Sequence, residues 1–196
     1  MNVNNYKKKK WGKSLKKLLF LIIIIILIFF TFNFNNIRNI VLEKFYPIKY
    51  SEYVELYAKE HDVDKELIYA IIKAESNFNC EAVSSKGACG LMQLMYPTAE
   101  EVAGKLNVKI DEEVIMEPKV NINLGTKYIS ILIEKYEDKG IALAAYNAGS
   151  GNVDTWIENG TIKKDGSDIE NIPYKETNNY VRKILRDYKI YQELYK

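Results

Sequence analysis

A mainly α-helical domain preceded by one membrane-length apolar helix is the fold class this sequence predicts. Three observations carry it: an uncharged apolar run directly after a lysine cluster, helical periodicity with cap and proline signals over most of the remainder, and few runs of two-residue alternation. With 196 residues, 47% of them hydrophobic and 12% aromatic, the chain has enough apolar side chain to bury a core.

The apolar run comes first. Lys7, Lys8, Lys9, Lys10, Lys13, Lys16 and Lys17 place seven positive charges ahead of residue 18, with no acidic residue among them. Without them 21 basic residues face 26 acidic ones, about −5, so the remainder lacks the basic balance of a nucleic-acid binder. The lysines instead mark topology. Leu18 to Phe32 reads LLFLIIIIILIFFTF, near the lower limit of the roughly 17–25 residues that span a bilayer, and the flanking Asn, Phe and Lys side chains extend it. A cleaved signal peptide would end in small residues, whereas Thr31 to Ile37 reads TFNFNNI. The expectation is an uncleaved, single-pass anchor over 18–34 in the cell membrane. The basic segment 1–17 is then cytoplasmic, 35–50 is a partly helical stalk, and 51–196 is one extracytoplasmic domain of ordinary size.

Within that domain the helices follow in order. Ser51 to His61 is the first and Asp64 to Asn77 the second, with Asp64 as a good N-cap. Pro97 to Leu106 follows, with Pro97 at an early helical position. Pro118 to Tyr136 is a long helix with Ile122, Ile129, Leu132 and Ile133 toward its inner face. Gly125 lies inside it, where its cost of about 1 kcal/mol argues for close packing or approach to a ligand. Short helices at Ile141 to Tyr146 and Asn152 to Glu158 precede a last one, Lys175 to Leu194, with Val181, Ile184, Leu185 and Tyr188 on one stripe. At most a small hairpin is expected, between Cys80 and Met95.

One residue breaks the pattern. Ile68, Ile71 and Ile72 mark the buried stripe of the second helix, and Glu75 lies seven, four and three residues beyond them, on that same stripe. A carboxylate there is either paired or desolvated enough to hold its proton near neutral pH, which is what a general acid requires. Other chemistries fare worse. The single histidine, His61, sits beside a helix end and reads as structural, and no G-x-S-x-G elbow is present. Two cysteines and one histidine at these spacings make no convincing zinc site, and Gly149 and Gly151 read as a turn because no phosphate-loop Lys-Ser/Thr follows. No metal or cofactor is expected. Acid–base work by a carboxylate remains.

Four blocks then carry a specific resemblance. They are Glu75 to Asn79 with Ala82-Val83-Ser84 and Gly87 to Met95; Asn121-Ile122 with Gly125 and Tyr128; Ala144 to Gly149; and Glu176-Thr177 with Tyr180-Val181. In this order and spacing they resemble the lytic transglycosylase domain of the soluble-lytic-transglycosylase type, a fold related to goose-type lysozyme. The resemblance covers nearly all of the domain. It implies a peptidoglycan substrate, cleaved at the β-1,4 bond between N-acetylmuramic acid and N-acetylglucosamine, with Glu75 as the one catalytic acid/base and a 1,6-anhydromuramoyl product. Ordinary glycosidases use two carboxylates. The resemblance implies that the substrate's own N-acetyl group stabilises the cationic centre, so one suffices.

By the same resemblance Gln93 lines the cleft with Met92 as its apolar neighbour. Tyr146 and Asn147 lie close to the acid, where the tyrosine hydroxyl positions Glu75 or the sugar. Glu176 and Tyr180 approach from the last helix, and Ser76 supports the acid's loop or contacts substrate. The chain departs from the family pattern twice. Cys80 follows Phe78-Asn79 where proline is usual, and with Cys89 outside the membrane this suggests a Cys80–Cys89 disulfide contributing roughly 2–3 kcal/mol. Pro97 is also displaced by one position after Met95. Two other readings stay open: a goose-lysozyme-like hydrolase, and a non-catalytic wall-binding subunit of an envelope machine. Envelope protein partners are not specified by the sequence.

Overall fold

The structure, a computed structural model, describes residues 3–195. Residues 1 and 2 of the expected basic segment and residue 196 of the expected domain lie outside the described residues. The chain divides into two units, Met1–Pro47 and Ile48–Lys196.

The first unit is one helix, α1 (Val3–Phe45), unbroken through the expected stalk as far as Phe45. Its part from Ser14 to Phe45 is long and apolar enough to cross a membrane, and none of it is buried by protein. Thr31 and Asn33 do not break it, because each returns a side-chain hydrogen bond to a carbonyl one turn back, at Ile28 and Phe29.

The second unit is helical throughout: α2 (Ser51–Glu60), α3 (Lys65–Glu75), α4 (Tyr96–Leu106), α5 (Pro118–Tyr136), α6 (Lys139–Ala148), α7 (Ser150–Glu158) and α8 (Lys175–Leu194). These lie within a few residues of the expected helices. Single 3-10 turns at Val114–Met116 and Ile169–Asn171 lead into α5 and α8. No strand forms among the described residues. The expected hairpin is reduced to two isolated bridges, Val83 with Cys89 and Cys89 with Leu94.

The core is built around α3, α5, α6 and α8. Leu67, Ile68, Ile71 and Ile72 of α3 are wholly buried, each stabilising the fold by about 1.5–3 kcal/mol. From α5 the buried face is Ile122, Leu124, Ile129 and Leu132, and α6 is apolar on every side from Ile141 to Ala145. On α8 the buried stripe is Thr177, Val181, Ile184, Asp187 and Tyr191; Leu185 and Tyr188, expected there, are only half-buried. An aspartate takes the stripe position because it has partners. Asp187 accepts from Lys73 Nζ at 3.1 Å and from Arg186 at 3.0 Å, and a charge so buried is tolerable only when paired and hydrogen-bonded.

Three contacts fix how α3 and α8 meet. Tyr69 stacks on Tyr191 at 5.5 Å, Lys73 meets Asp187, and Glu75 meets Tyr180. Rising numbers on α3 pair with falling numbers on α8, so the helices run antiparallel, and that register brings Tyr180 to Glu75. Asp64 occupies the N-cap position of α3 but makes no capping bond. Its carboxylate instead accepts from the Tyr188 hydroxyl and meets Lys139 Nζ at 3.4 Å, which ties the start of α3 to α8 and α6. His61 is structural, as expected: its Nε2 meets Asn123 Oδ1 at 2.7 Å, its carbonyl accepts from Ser130 Oγ, and its ring stacks on Tyr57.

Candidate active site

Glu75 is the last residue of α3, and the helix stops there because the chain turns left-handed at Asn77 (φ 50) and Phe78 (φ 64). Phe78 is buried beneath, against Tyr69. The segment that follows, 76–95, wraps back to form the floor of a cleft of about 570 Å³, whose lining includes Glu75, Gln93, Tyr146, Asn147 and Glu176.

This floor is held from below by α5. Asn121, fully buried, accepts from the Met92 amide at 2.7 Å and donates to the carbonyls of Cys89 (3.1 Å) and Ile115 (2.9 Å). Gly90, at φ +78, lies so close that a Cβ there would stand 2.3 Å from the Asn121 side chain. Gly125 has the same role one turn on: a Cβ would fall 2.4 Å from Met92 Sδ, so the glycine lets α5 reach the floor. Tyr146 closes the arrangement from α6, its hydroxyl donating to the Met92 carbonyl at 2.8 Å and its ring tilted against Tyr128.

The electrostatics centre on Glu75. Tyr180 Oη donates to Oε1 at 2.5 Å; Glu75 lines the cleft, and its Oε2 makes no protein hydrogen bond among the described residues. Burial pushes the carboxyl from 4.5 up to about 7; the Tyr180 hydrogen bond and the Lys183 charge pull it back only partly. Burial and the neighbouring Glu75 drive the phenols of Tyr146 and Tyr180 well above their usual range, so both remain neutral donors. Glu75 therefore exchanges its proton near neutral pH, beside a hydroxyl able to stabilise the anion. That is the equipment of a general acid that must later act as base.

The other expected residues divide. Gln93 sits left-handed (φ 49), its Nε2 donating to the carbonyls of Ala82 and Gly90 at 2.9 Å each, which leaves Oε1 as an acceptor for the cleft. Asn147 Oδ1 accepts from Thr177 Oγ1 at 2.8 Å, leaving its amide N–H groups as donors. Glu176 is exposed on the lining. Ser76 supports the loop, donating to Leu91 O at 2.8 Å and Ile72 O at 3.2 Å. Met92 is fully buried under the floor against Gly125. Tyr146 was expected to reach Glu75 or the sugar with its hydroxyl; Tyr180 makes the bond to Glu75, and the Tyr146 hydroxyl is engaged by Met92.

In the structure Cys80 and Cys89 are not joined to each other. Cys89 is fixed by backbone pairing to Val83 and Leu94, with its Sγ on Leu94 O at 3.5 Å, while Cys80 is turned to the Tyr50 hydroxyl. Sequence reasoning also missed lining residues, among them Lys86, Met95, Tyr174 and Lys175. The only signal for the last two was adjacency to the block beginning at Glu176.

A helical domain presenting one desolvated carboxylic acid in an open cleft is the arrangement of the lysozyme-like fold class. Residues 52–169 match the transglycosylase SLT domain, and the chain belongs to that family. It is 34% identical over 148 residues to the soluble lytic murein transglycosylase of Salmonella typhimurium, which covers 74% of this chain and 23% of that protein. It is 40% identical over 105 residues to the membrane-bound lytic murein transglycosylase E of Buchnera aphidicola, covering 52% of this chain and 49% of the relative. Among solved structures, an inactive mutant of the lytic transglycosylase Slt from Pseudomonas aeruginosa superposes with a TM-score of 0.70 at 34% identity, over 76% of this chain and 24% of the other. The chain thus spans about a quarter of the length of the soluble relatives it matches.

Proposed function

We propose that this chain is a membrane-anchored peptidoglycan lytic transglycosylase that cleaves the β-1,4 bond between N-acetylmuramic acid and N-acetylglucosamine. The observation that carries the reading is Glu75: an acid in the lining of the cleft, titrating near pH 7 and bonded by Tyr180 on one oxygen. Protonated Glu75 gives its proton to the glycosidic oxygen as that bond breaks at C1. The resulting carboxylate, stabilised by Tyr180 and Lys183, takes the proton of the muramic acid 6-hydroxyl as O6 bonds to C1. Glu75 ends protonated, as it began, the product carries a 1,6-anhydro ring, and no water is consumed. Gln93 Oε1 and the Asn147 amide supply an acceptor and a donor for sugar hydroxyl and acetamido groups, and Glu176 a further acceptor. Ser76 and Met92 act beneath, by holding the floor.

The α1 segment Ser14–Phe45 serves as the anchor, and the lysines ahead of residue 18 favour a cytoplasmic N-terminus with the domain outside, where the wall is. Mass analysis of fragments from purified peptidoglycan, digested by wild type and by Glu75→Gln, tests the chemistry. Wild type yields anhydromuramoyl ends and the variant yields no cleavage. Ends that have gained a water would turn the reading to a lysozyme-like hydrolase; absence of any cleavage by wild type would turn it to a wall-binding subunit.

A further inference from the structure

Cutting an uncharged sugar backbone leaves one feature of the cleft unused. The sequence from residue 48 onward carries 19 Lys and Arg against 25 Asp and Glu, yet the cleft is lined by two lysines, Lys86 and Lys175. Lys86 comes from the turn between Ser84 and Ala88, and Lys175 is the first residue of α8. Elsewhere in the domain Lys65, Lys73, Lys105, Lys135 and Lys139 each lie beside a carboxylate. Lys86 and Lys175, like the exposed Lys109 and Lys119, have no such partner among the described residues, and these two stand in the cleft lining.

The anions of the cleft do not cancel them. Glu75 is uncharged in the form that starts the reaction. Glu176 follows Lys175 directly, and consecutive helical residues point about 100° apart, so the two do not face each other. The working cleft is therefore net positive inside a net negative domain, and it suits an anionic group carried by the glycan.

The sugar rings themselves carry no charge. Carboxylates enter where the muramic acid lactyl group continues into a stem peptide. Phosphate polymers attached at the muramic acid 6-oxygen are the other anions of a wall, but at the cleaved residue they would block the hydroxyl that must attack C1. We propose that Lys86 and Lys175 form a carboxylate-recognition subsite, which selects glycan strands whose muramic acid bears a stem peptide with free rather than amidated carboxyl groups. This rests on the glycan-cleaving reading above and names the substrate form that reading leaves open.

The test compares three substrates: peptidoglycan with its stem carboxylates intact, the same material chemically amidated, and naked glycan strands stripped of peptide. The full-length protein in detergent should cleave the carboxylate-bearing form with a kcat/KM about 3–20-fold above the other two, the range that two partly exposed ion pairs supply. In Lys86→Ala/Lys175→Ala that ratio should fall toward one, and in Lys86→Arg/Lys175→Arg it should return. Equal rates of wild type on all three substrates, or a ratio unchanged in the double alanine variant, would overturn the subsite. Binding of Glu75→Gln to the same three materials by co-sedimentation needs no turnover. A carboxylate preference in binding without cleavage by wild type removes the catalytic reading and keeps the subsite; cleavage without preference does the reverse.

Discussion

Replacing Glu75 by glutamine should stabilise the protein, and the gain should depend on pH. In the fold the carboxyl titrates near 7, against 4.5 for an ordinary glutamate, because burial disfavours its charge. A group whose folded pKa is raised contributes most below the unfolded value, and that contribution is lost as pH rises through the folded one. Between pH 4.5 and 7 the native state binds the extra proton, so stability falls across this window. The full shift corresponds to about 3 kcal/mol; allowing for the open side of the cleft, we expect about 2–3 kcal/mol. Glutamine keeps the shape, offers its carbonyl to Tyr180, and does not titrate. Thermal unfolding of full-length wild type and Glu75→Gln in detergent should therefore give similar midpoints at pH 4. At pH 8 the variant should lie roughly 4–12 °C higher. A difference that does not change with pH, or a variant less stable at pH 8, would refute the claim that the acid is desolvated.

Two further substitutions probe the surroundings of the acid. Tyr180→Phe removes a hydrogen bond that favours ionised Glu75, so the fall of kcat/KM at high pH should move upward by about 1–2 units; a downward move would contradict the assigned role. Gly125→Ala would gain about 1 kcal/mol in a free helix, but here its methyl meets Met92, so urea unfolding should show a loss of about 1–3 kcal/mol together with reduced cleavage.

Helix positions were legible because their signals are local. Pro118 and Pro97 mark starts, and the Ile68, Ile71, Ile72 spacing fixes a buried face on which Glu75 had to fall. Gly125 stood out as a residue ill-suited to a helix interior, and the structure gives the reason, since it makes room for Met92; that Asn121 is a buried three-bond node showed only in the structure. Partner identity was not legible. Whether Tyr146 or Tyr180 bonds Glu75 depends on the antiparallel register of α3 on α8, which Lys73 and Asp187 help to set across 114 residues of chain. A buried aspartate on α8 looks polar to any periodicity count, so Leu185 was placed on the stripe in its stead. The surroundings of the two cysteines were not legible for a similar reason: closeness in sequence says nothing of where Cys80 and Cys89 point once Tyr50 and the Val83–Cys89 bridge have oriented them.

The way the cleft floor is fastened has a consequence for how such a cleft changes over time. Asn121, Gly125 and Tyr146 grip the 89–92 segment through its backbone or from underneath, and the acid is set by a separate contact between two helices. Side chains of the 84–88 turn take little part in either. Substitutions there are free to alter what the cleft prefers without moving Glu75, so substrate choice and chemistry can be selected independently. A laboratory library confined to Ser85 and Lys86, which leaves Gly87 (φ +83) and the Ser84 hydroxyl bond to the Ala88 amide in place, should yield altered wall preferences at little cost in folding.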